Sequence, residues 1–477
     1  MKILFLNIRP DWKKSFGQWS IFAFPILPAW LCYLAAVCRK KGHEVDAIDQ
    51  CQNNISYAEL TREVIQRKPD VLAVSLLTQA ASKGIPFLLE MRRLLPNMKI
   101  ILGNIHASCF AEELLKRNVA DFVVHGEGEE TFASIIKALE NQTNFADIPG
   151  ISFREQDEYV FTGPGAMIMD LDSIPYPAWD LFDIHQYKPP LFVSLETPLL
   201  PVLGSRGCPY HCKFCSVQMG HVYRERTPSG ILDEMEHFID RWGIKQYGFL
   251  DANFPLTSEK GVAFCHALLN RGLESKIIWA TEMRIDAVDR PLLEAMREAS
   301  CVRLQFGIES GNQDVLNAFG KDLTLETIKE KMALVREVGI ETVGLFMLGG
   351  PGETREASFN TIRFAASQSF NLVKFPITVP YPGTTLFEKY LKGIDFRDED
   401  WENFSSYTKA QPYPTPWLPS NRTKKELIHL QVQAMFRFYL RPRLIVNVLA
   451  KRTLRLGDAV AGVVNLLIEK VKAIFSK

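Results

Sequence analysis

PVLGSRGCPYHCKFCSV, residues 201–217, leads from a short β-rich run into a loop that holds three cysteines within eight residues. The thiols fall at Cys208, Cys212 and Cys215, a C-x3-C-x2-C spacing. Soft thiolates this close on one loop select iron-sulfur or zinc. Structural zinc takes four protein ligands, and no second Cys pair or His pair follows at finger spacing. His211 is the one fourth ligand at hand, in a loop too tight for it to share a metal comfortably. Three ligands on a four-iron cluster leave one iron open, which a cluster needs if it is to bind a molecule and not only pass electrons.

Outward from this loop, β-rich runs alternate with helical stretches: PVLGS, QYGFLD, IIWAT, RLQFG, TVGLFM and VKFPI, each but the last followed by a helix. Six such units predict a partial (β/α)6 barrel of the TIM type, whose chemistry gathers where strands end. Upstream, KILFLN, EVDAID, VLAVSL, KIILGN and DFVVHG alternate with amphipathic segments such as residues 57–66. That pattern predicts an α/β, doubly wound parallel sheet with its ligand beyond the strand ends, at Asn7, Asp49, Ser75, Gly103 and Gly126. The expected organisation is a first domain over residues 1–145, a proline-rich linker over 146–195, the barrel over 196–385 and a helical C-terminal region over 386–477.

Composition narrows the function classes. The chain has 477 residues, 47% hydrophobic and 23% charged, with zero formal net charge, so no global field draws it to nucleic acid. Nine cysteines are too sparse for a disulfide scaffold, and their crowding points to metal in a reducing compartment. The first residues offer only Ile3 to Leu6 as an apolar run, and no stretch reaches the ~18 apolar residues of a spanning helix. A cytoplasmic protein is expected. From Arg437 onward nine Lys and Arg face two acids, a tail that suits either a packed helical cap or peripheral contact with the inner face of a membrane.

The cysteine loop, with Phe214 before its last thiol, resembles the signature of the radical S-adenosylmethionine (SAM) superfamily. The order of GFLDANF, ATEMRID, QFGIESG, GLFMLGGPGET and PYPGT at later strand ends adds to the likeness. The resemblance implies a 4Fe-4S cluster on Cys208, Cys212 and Cys215, an open iron that chelates SAM, and reductive cleavage to a 5'-deoxyadenosyl radical. It places Phe214 near the adenine, and Asp251, Arg284, Glu309, Ser310 and Gly349 around SAM. Asp251 stands where many superfamily members carry Gly-Gly-Glu, so its contact is the least secure, and Tyr381 at the last strand's end is a candidate to face substrate.

The first 145 residues resemble the cobalamin-binding domain that precedes this barrel in one branch of the superfamily, on FPILPAWLCYLAAVCRKKGHEVDAID, SLLTQA, LGNIHAS and VHGEGEETF. The likeness implies a cobalamin site at Ser75, Thr78, Gly103, His106, Gly126, Glu127 and Gly128. The D-x-H-x-x-G motif that gives cobalt a histidine is absent after the first strand, so cobalt without a lower histidine is expected. Cys32, Cys38, Cys51 and Cys109 read as small buried hydrophobes.

The resemblance implies a methyltransferase for an unactivated carbon of a small-molecule or lipid-like substrate, fed by an electron donor such as flavodoxin or ferredoxin, with no nucleic acid partner. The alternatives are a ring-forming or ring-rearranging enzyme like the magnesium-porphyrin ester cyclases, or a cobalamin sensor with a relic barrel. A tRNA methylthiolation enzyme would usually carry a second cluster domain and an RNA-binding tail, and neither is evident.

Overall fold

The computed structural model describes residues 1–11, 25–187, 189, 195–217, 219–406, 417–419 and 421–441. The first apolar runs form β1 (Lys2–Asn7), β2 (Glu44–Asp49), β3 (Val71–Ser75), β4 (Lys99–Gly103) and β5 (Phe122–Val124). They pair in parallel in the order β2-β1-β3-β4-β5. Every residue of β3, VLAVS, is buried, as a strand covered by helices on both faces requires. The strand order reverses between β1 and β3, which opens a crevice beyond their carboxyl ends.

Two further strands, β6 (Ile151–Glu155) and β7 (Glu158–Phe161), extend this sheet in antiparallel pairing. They lie in the stretch read from sequence as linker. Their two-residue turn places Gln156 and Asp157 at φ 49 and 67, the geometry of a type I′ hairpin. Gln-Asp is a weak spelling of a turn that favours Asn-Gly, so the hairpin is hard to read from residue types alone.

The second sheet consists of β8 (Leu199–Val202), β11 (Gln246–Phe249), β12 (Ile278–Met283), β13 (Cys301–Glu309), β14 (Glu341–Phe346) and β15 (Leu372–Lys374), with the short hairpin β9 (Ser205–Arg206) and β10 (Arg224–Glu225) inserted after β8. All pairs within the six-stranded sheet are parallel and neighbours follow chain order, the wall of a partial barrel. Its helices start at oxygen-bearing caps: Thr227, Thr257, Thr324 and Thr354 each accept from a backbone N–H of the first turn.

The chain then turns back on its first domain. Val379, Phe387, Leu391, Trp401 and Phe404 belong to the same apolar core as β1, β3 and β4. Gln79 Nε2 donates to Phe404 O at 2.8 Å and Ser82 Oγ to Glu402 at 2.8 Å. The helix Lys424–Tyr439 packs beneath β15, where the Tyr439 hydroxyl donates to Val373 O at 2.8 Å. Among the described residues no helix is long and apolar enough to cross a membrane. Most of the basic tail, from residue 442 on, lies outside the described residues, as does the start of the FPILPAW segment.

Candidate active site between the two sheets

The thiol loop is carried by the β9–β10 hairpin. Gly207, at φ 81, opens it, and a Cβ there would stand 2.2 Å from Val222 O, so only glycine lets the two arms close. Cys208 N donates to Gly220 O at 3.1 Å and Cys215 N to Cys212 O at 3.1 Å. The loop's far side is tied to the barrel: Lys213 N donates to Phe319 O at 2.9 Å, and Leu386 N to Lys213 O at 3.0 Å. Phe214 sits edge-on against Phe319, ring centroids 5.2 Å apart. Burial pushes the Cys215 thiol up to about 11, and the neighbouring Cys212 and Cys208 add to it. Cys212 is raised by burial as well, with Lys321 and Arg284 pulling it down.

His211 packs against the ring of His221 at 4.1 Å, and His221 Nδ1 lies 3.0 Å from Cys208 O. Among the described residues no three His, Cys, Asp or Glu side chains converge on one point, as a single zinc ion would need.

The strand ends of the barrel place the other expected residues unevenly. Arg284 lies over the Tyr210 ring at 3.9 Å and makes a two-pronged pair with Asp286 at 2.9 and 2.6 Å. Glu309 holds φ 66, a left-handed conformation that non-glycine residues adopt at a cost, and accepts from Lys321 Nζ at 2.8 Å. Arg284 thus touches the thiol loop at Tyr210, and the Glu309 charge is near enough to bear on Cys212. Ser310 and Gly349 do not face it. Ser310 is fully buried with its hydroxyl 2.9 Å from Thr361 Oγ1, and a Cβ on Gly349 would meet Leu427 at 2.9 Å.

Between the sheets lies a cavity of about 440 Å³. Ser75, Gly103, Gly126 and Gly128 line it from the first domain, and Cys215 and Asp251 from the barrel. Asp251 accepts from Gly204 N at 3.0 Å and from the Ser205 hydroxyl, yet burial holds its carboxyl up to about 7. A Cβ added at Gly103 or Gly126, both in the cavity lining, would meet no atom within 4 Å beyond its chain neighbours.

Three residues expected around cobalamin do not line this cavity. His106 is 1% exposed, wedged between Phe110 and Trp401 at 4.8 Å from each, and burial drives its pKa down to about 3. Thr78 is buried at the start of its helix. Glu127 is taken by two arginines, Arg206 at 3.1 Å and Arg224 at 2.5 Å, while Arg206 also meets Glu129 at 2.5 Å. This buried network joins the first domain to both arms of the thiol hairpin. Asn7 and Asp49 pair with each other at 2.9 Å, and Tyr187 closes over Asp49 at 2.7 Å. Cys32 and Cys38 are buried as expected, whereas Cys51 is half-buried and Cys109 exposed.

Comparison with known proteins agrees with this geometry. Residues 202–365 match the model of the radical SAM superfamily, and residues 22–136 that of the B12 binding domain. The chain is a radical SAM protein with a B12-binding domain. It is 28% identical over 424 residues to an uncharacterized methyltransferase of Pyrococcus horikoshii, covering 88% of this chain and 89% of the relative. It is 29% identical over 456 residues to the anaerobic magnesium-protoporphyrin IX monomethyl ester cyclase of Cereibacter sphaeroides, covering 93% and 71%. Its fold resembles that of the radical SAM methyltransferase TsrM from Kitasatospora setae, with TM-score 0.66, 18% identity and coverage of 91% and 81%.

The cofactors of this radical SAM protein are a 4Fe-4S cluster, SAM and cobalamin. The residues present fit them. Three thiols on one loop, half-buried at Cys208 and Cys212 and exposed at Cys215, suit iron, which replaces their protons on binding. The glycine-floored cavity suits a bulky ring pressed against main chain. Asn253, which sequence reading passed over, is 1% exposed; its Oδ1 accepts from Arg284 N at 3.0 Å, and its buried Nδ2 has no hydrogen-bond partner. An acceptor on a ligand at the barrel mouth would satisfy it. Its place two residues beyond Asp251 was the available signal. The pair Arg206 and Arg224 had none, because their partners lie far away in sequence.

Proposed function

We propose that this protein is a cobalamin-dependent radical SAM methyltransferase acting on an unactivated carbon of a small-molecule or lipid-like substrate. The observation that carries the reading is the shared cavity: Cys215 of the thiol loop and the glycine floor of the first domain face one space. Residues 1–145 would bind cobalamin at Ser75, Gly103, Gly126 and Gly128, and residues 196–385 would form the barrel. Cys208, Cys212 and Cys215 would hold the cluster, with Phe214, Arg284, Glu309 and Asn253 around SAM. When bound, cluster and SAM supply a hydrogen-abstracting radical and cobalamin a methyl group. The protein's own part is to fix the thiol loop through Gly207 and Phe319, to hold Arg284 and Glu309 in charge-paired positions, and to keep Asp251 able to hold or release a proton near neutral pH.

Anaerobic turnover with methyl-labelled SAM and an electron donor such as flavodoxin or ferredoxin tests the reading. Label should appear in a product; 5'-deoxyadenosine formed without any labelled product would sink methyl transfer. The likeness to the cyclase over 93% of the chain favours a second reading, ring formation. It would show as an unlabelled cyclised product from magnesium-protoporphyrin IX monomethyl ester.

Contact with an anionic membrane surface through residues 437–477 belongs to the same proposal. Of the cations in that stretch, Arg437 already lies over Phe359 at 5.4 Å and Arg441 donates to Ala366 O at 2.5 Å, so the contact would rest on those beyond. Co-sedimentation with anionic vesicles should be lost on deleting residues 442–477. Binding that survives the deletion removes the tail from the reading.

A further inference from the structure

The inner face of the partial barrel carries polar groups where barrel interiors favour branched apolar side chains. Along β12, half-buried Ile278, Ala280 and Glu282 alternate with buried Trp279, Thr281 and Met283. Trp279 and Met283 belong to the core under the helices, so Glu282 faces the other way. Register carries that face across the sheet: Glu282 stands beside Gln305, Gln305 beside Val343, Gly307 beside Leu345 and Leu345 beside Lys374. Because alternate residues share a face, Glu282, Gln305 and Lys374 line one surface.

Gln305 Nε2 donates a short hydrogen bond to the Glu282 carboxylate. Lys374, flanked by the core residues Val373 and Phe375, is exposed, yet the protein crowded around it holds its pKa below the usual lysine value. The face that Lys374 shares with Gln305 and Glu282 points away from the helices, into the interior of the partial barrel. Three strand spacings separate β15 from β12, about 14 Å along a flat sheet. The Glu282 and Lys374 charges nevertheless act on each other, as the curl of a barrel wall allows. The neighbouring charges are already paired, Arg303 with Glu341 at 3.0 Å and Lys321 with Glu309 at 2.8 Å. Among the described residues the Lys374 ammonium makes no hydrogen bond or ion pair.

We propose that this inner face seats the polar end of the substrate, with Lys374 taking a carboxylate of a small organic acid and Glu282, steadied by Gln305, taking a hydrogen-bond donor of the same molecule. The assignment rests on the reading of the barrel as the enzyme's substrate chamber. It narrows the substrate class to acids that also carry a donor.

Benzoate and its neutral isostere benzamide probe the site by ligand-observed NMR on the cofactor-loaded protein. Benzoate should bind saturably and benzamide at least about tenfold more weakly, the effect of one charge-assisted hydrogen bond. Lys374→Met should bring benzoate down to the level of benzamide, and Lys374→Arg should restore it. Retained cobalamin absorbance certifies the fold; should Lys374→Met fail there, Lys374→Gln takes its place with the same expected loss. Absence of saturable benzoate binding, equal binding of the two probes, or benzoate binding indifferent to Lys374→Met overturns the proposal. So does a parallel fall in SAM affinity by equilibrium dialysis, which would assign Lys374 to SAM. Probe binding needs no methyl transfer, so these outcomes stand apart from those of the labelling experiment.

Discussion

Replacing Cys208, Cys212 or Cys215 by Ala is expected to abolish SAM cleavage while cobalamin still binds. Loss of a partner that merely orients a metal ligand costs roughly 10–100-fold, so loss of a ligand itself should cost more than about 100-fold. The three thiols sit on one loop anchored at both ends by main-chain bonds, so truncating one leaves the hairpin in place. The glycine floor that faces them belongs to other strands, β4 and the turn after β5. The measurements are iron per chain, 5'-deoxyadenosine formed anaerobically, and cobalamin absorbance after reconstitution. A variant that keeps full iron content and SAM cleavage would remove that thiol from the cluster. Loss of cobalamin along with iron would show that the two sites do not load independently.

Glu127→Gln should destabilise the protein by about 3–5 kcal/mol, the cost of leaving a buried charge without its counter-ion. Arg206, Arg224, Glu127 and Glu129 are 2–7% exposed at their side chains, so water cannot take the place of the lost carboxylate. An exposed pair offers the contrast. Lys116 and Glu112, 61% and 56% exposed and four residues apart on one helix, should contribute far less, because water screens the pair and replaces its contacts. Thermal unfolding of Glu127→Gln, Glu112→Gln and the parent protein under one set of conditions checks the difference. A midpoint for Glu127→Gln no lower than that of Glu112→Gln would mean that the network holds nothing together.

Much of this was legible in the sequence, for reasons that differ by residue. The central strands of the first sheet announced themselves as apolar runs such as VLAVS, because strands covered by helices on both faces have no polar face to show. The thiol loop was legible because its ligands are neighbours in the chain. Glu127 and His106 do not line the cavity, because their surroundings are decided by partners distant in sequence. The GEGEE stretch reads as a ligand-binding loop until Arg206 and Arg224 arrive from the barrel, and His106 reads as part of the cobalamin site until Trp401 closes over it. Ser310 and Gly349 stand in a motif at the right strand ends, yet the Ser310 hydroxyl meets Thr361 and Leu427 packs over Gly349. The pairing of Glu282 with Gln305 became visible only when the strand register was known.

The return of residues 379–404 to the core of the first sheet bears on how the chain is made. The helix Thr78–Leu94 leaves the ribosome early, but Trp401 and Phe404, which belong to the same core, follow some 310 residues later. At roughly 5–20 residues per second that is a wait of about 15–60 s, during which an apolar surface stands open. The amino-terminal half therefore cannot finish folding as it emerges, and a nascent chain halted within the barrel should be a better chaperone client than one halted past Phe404.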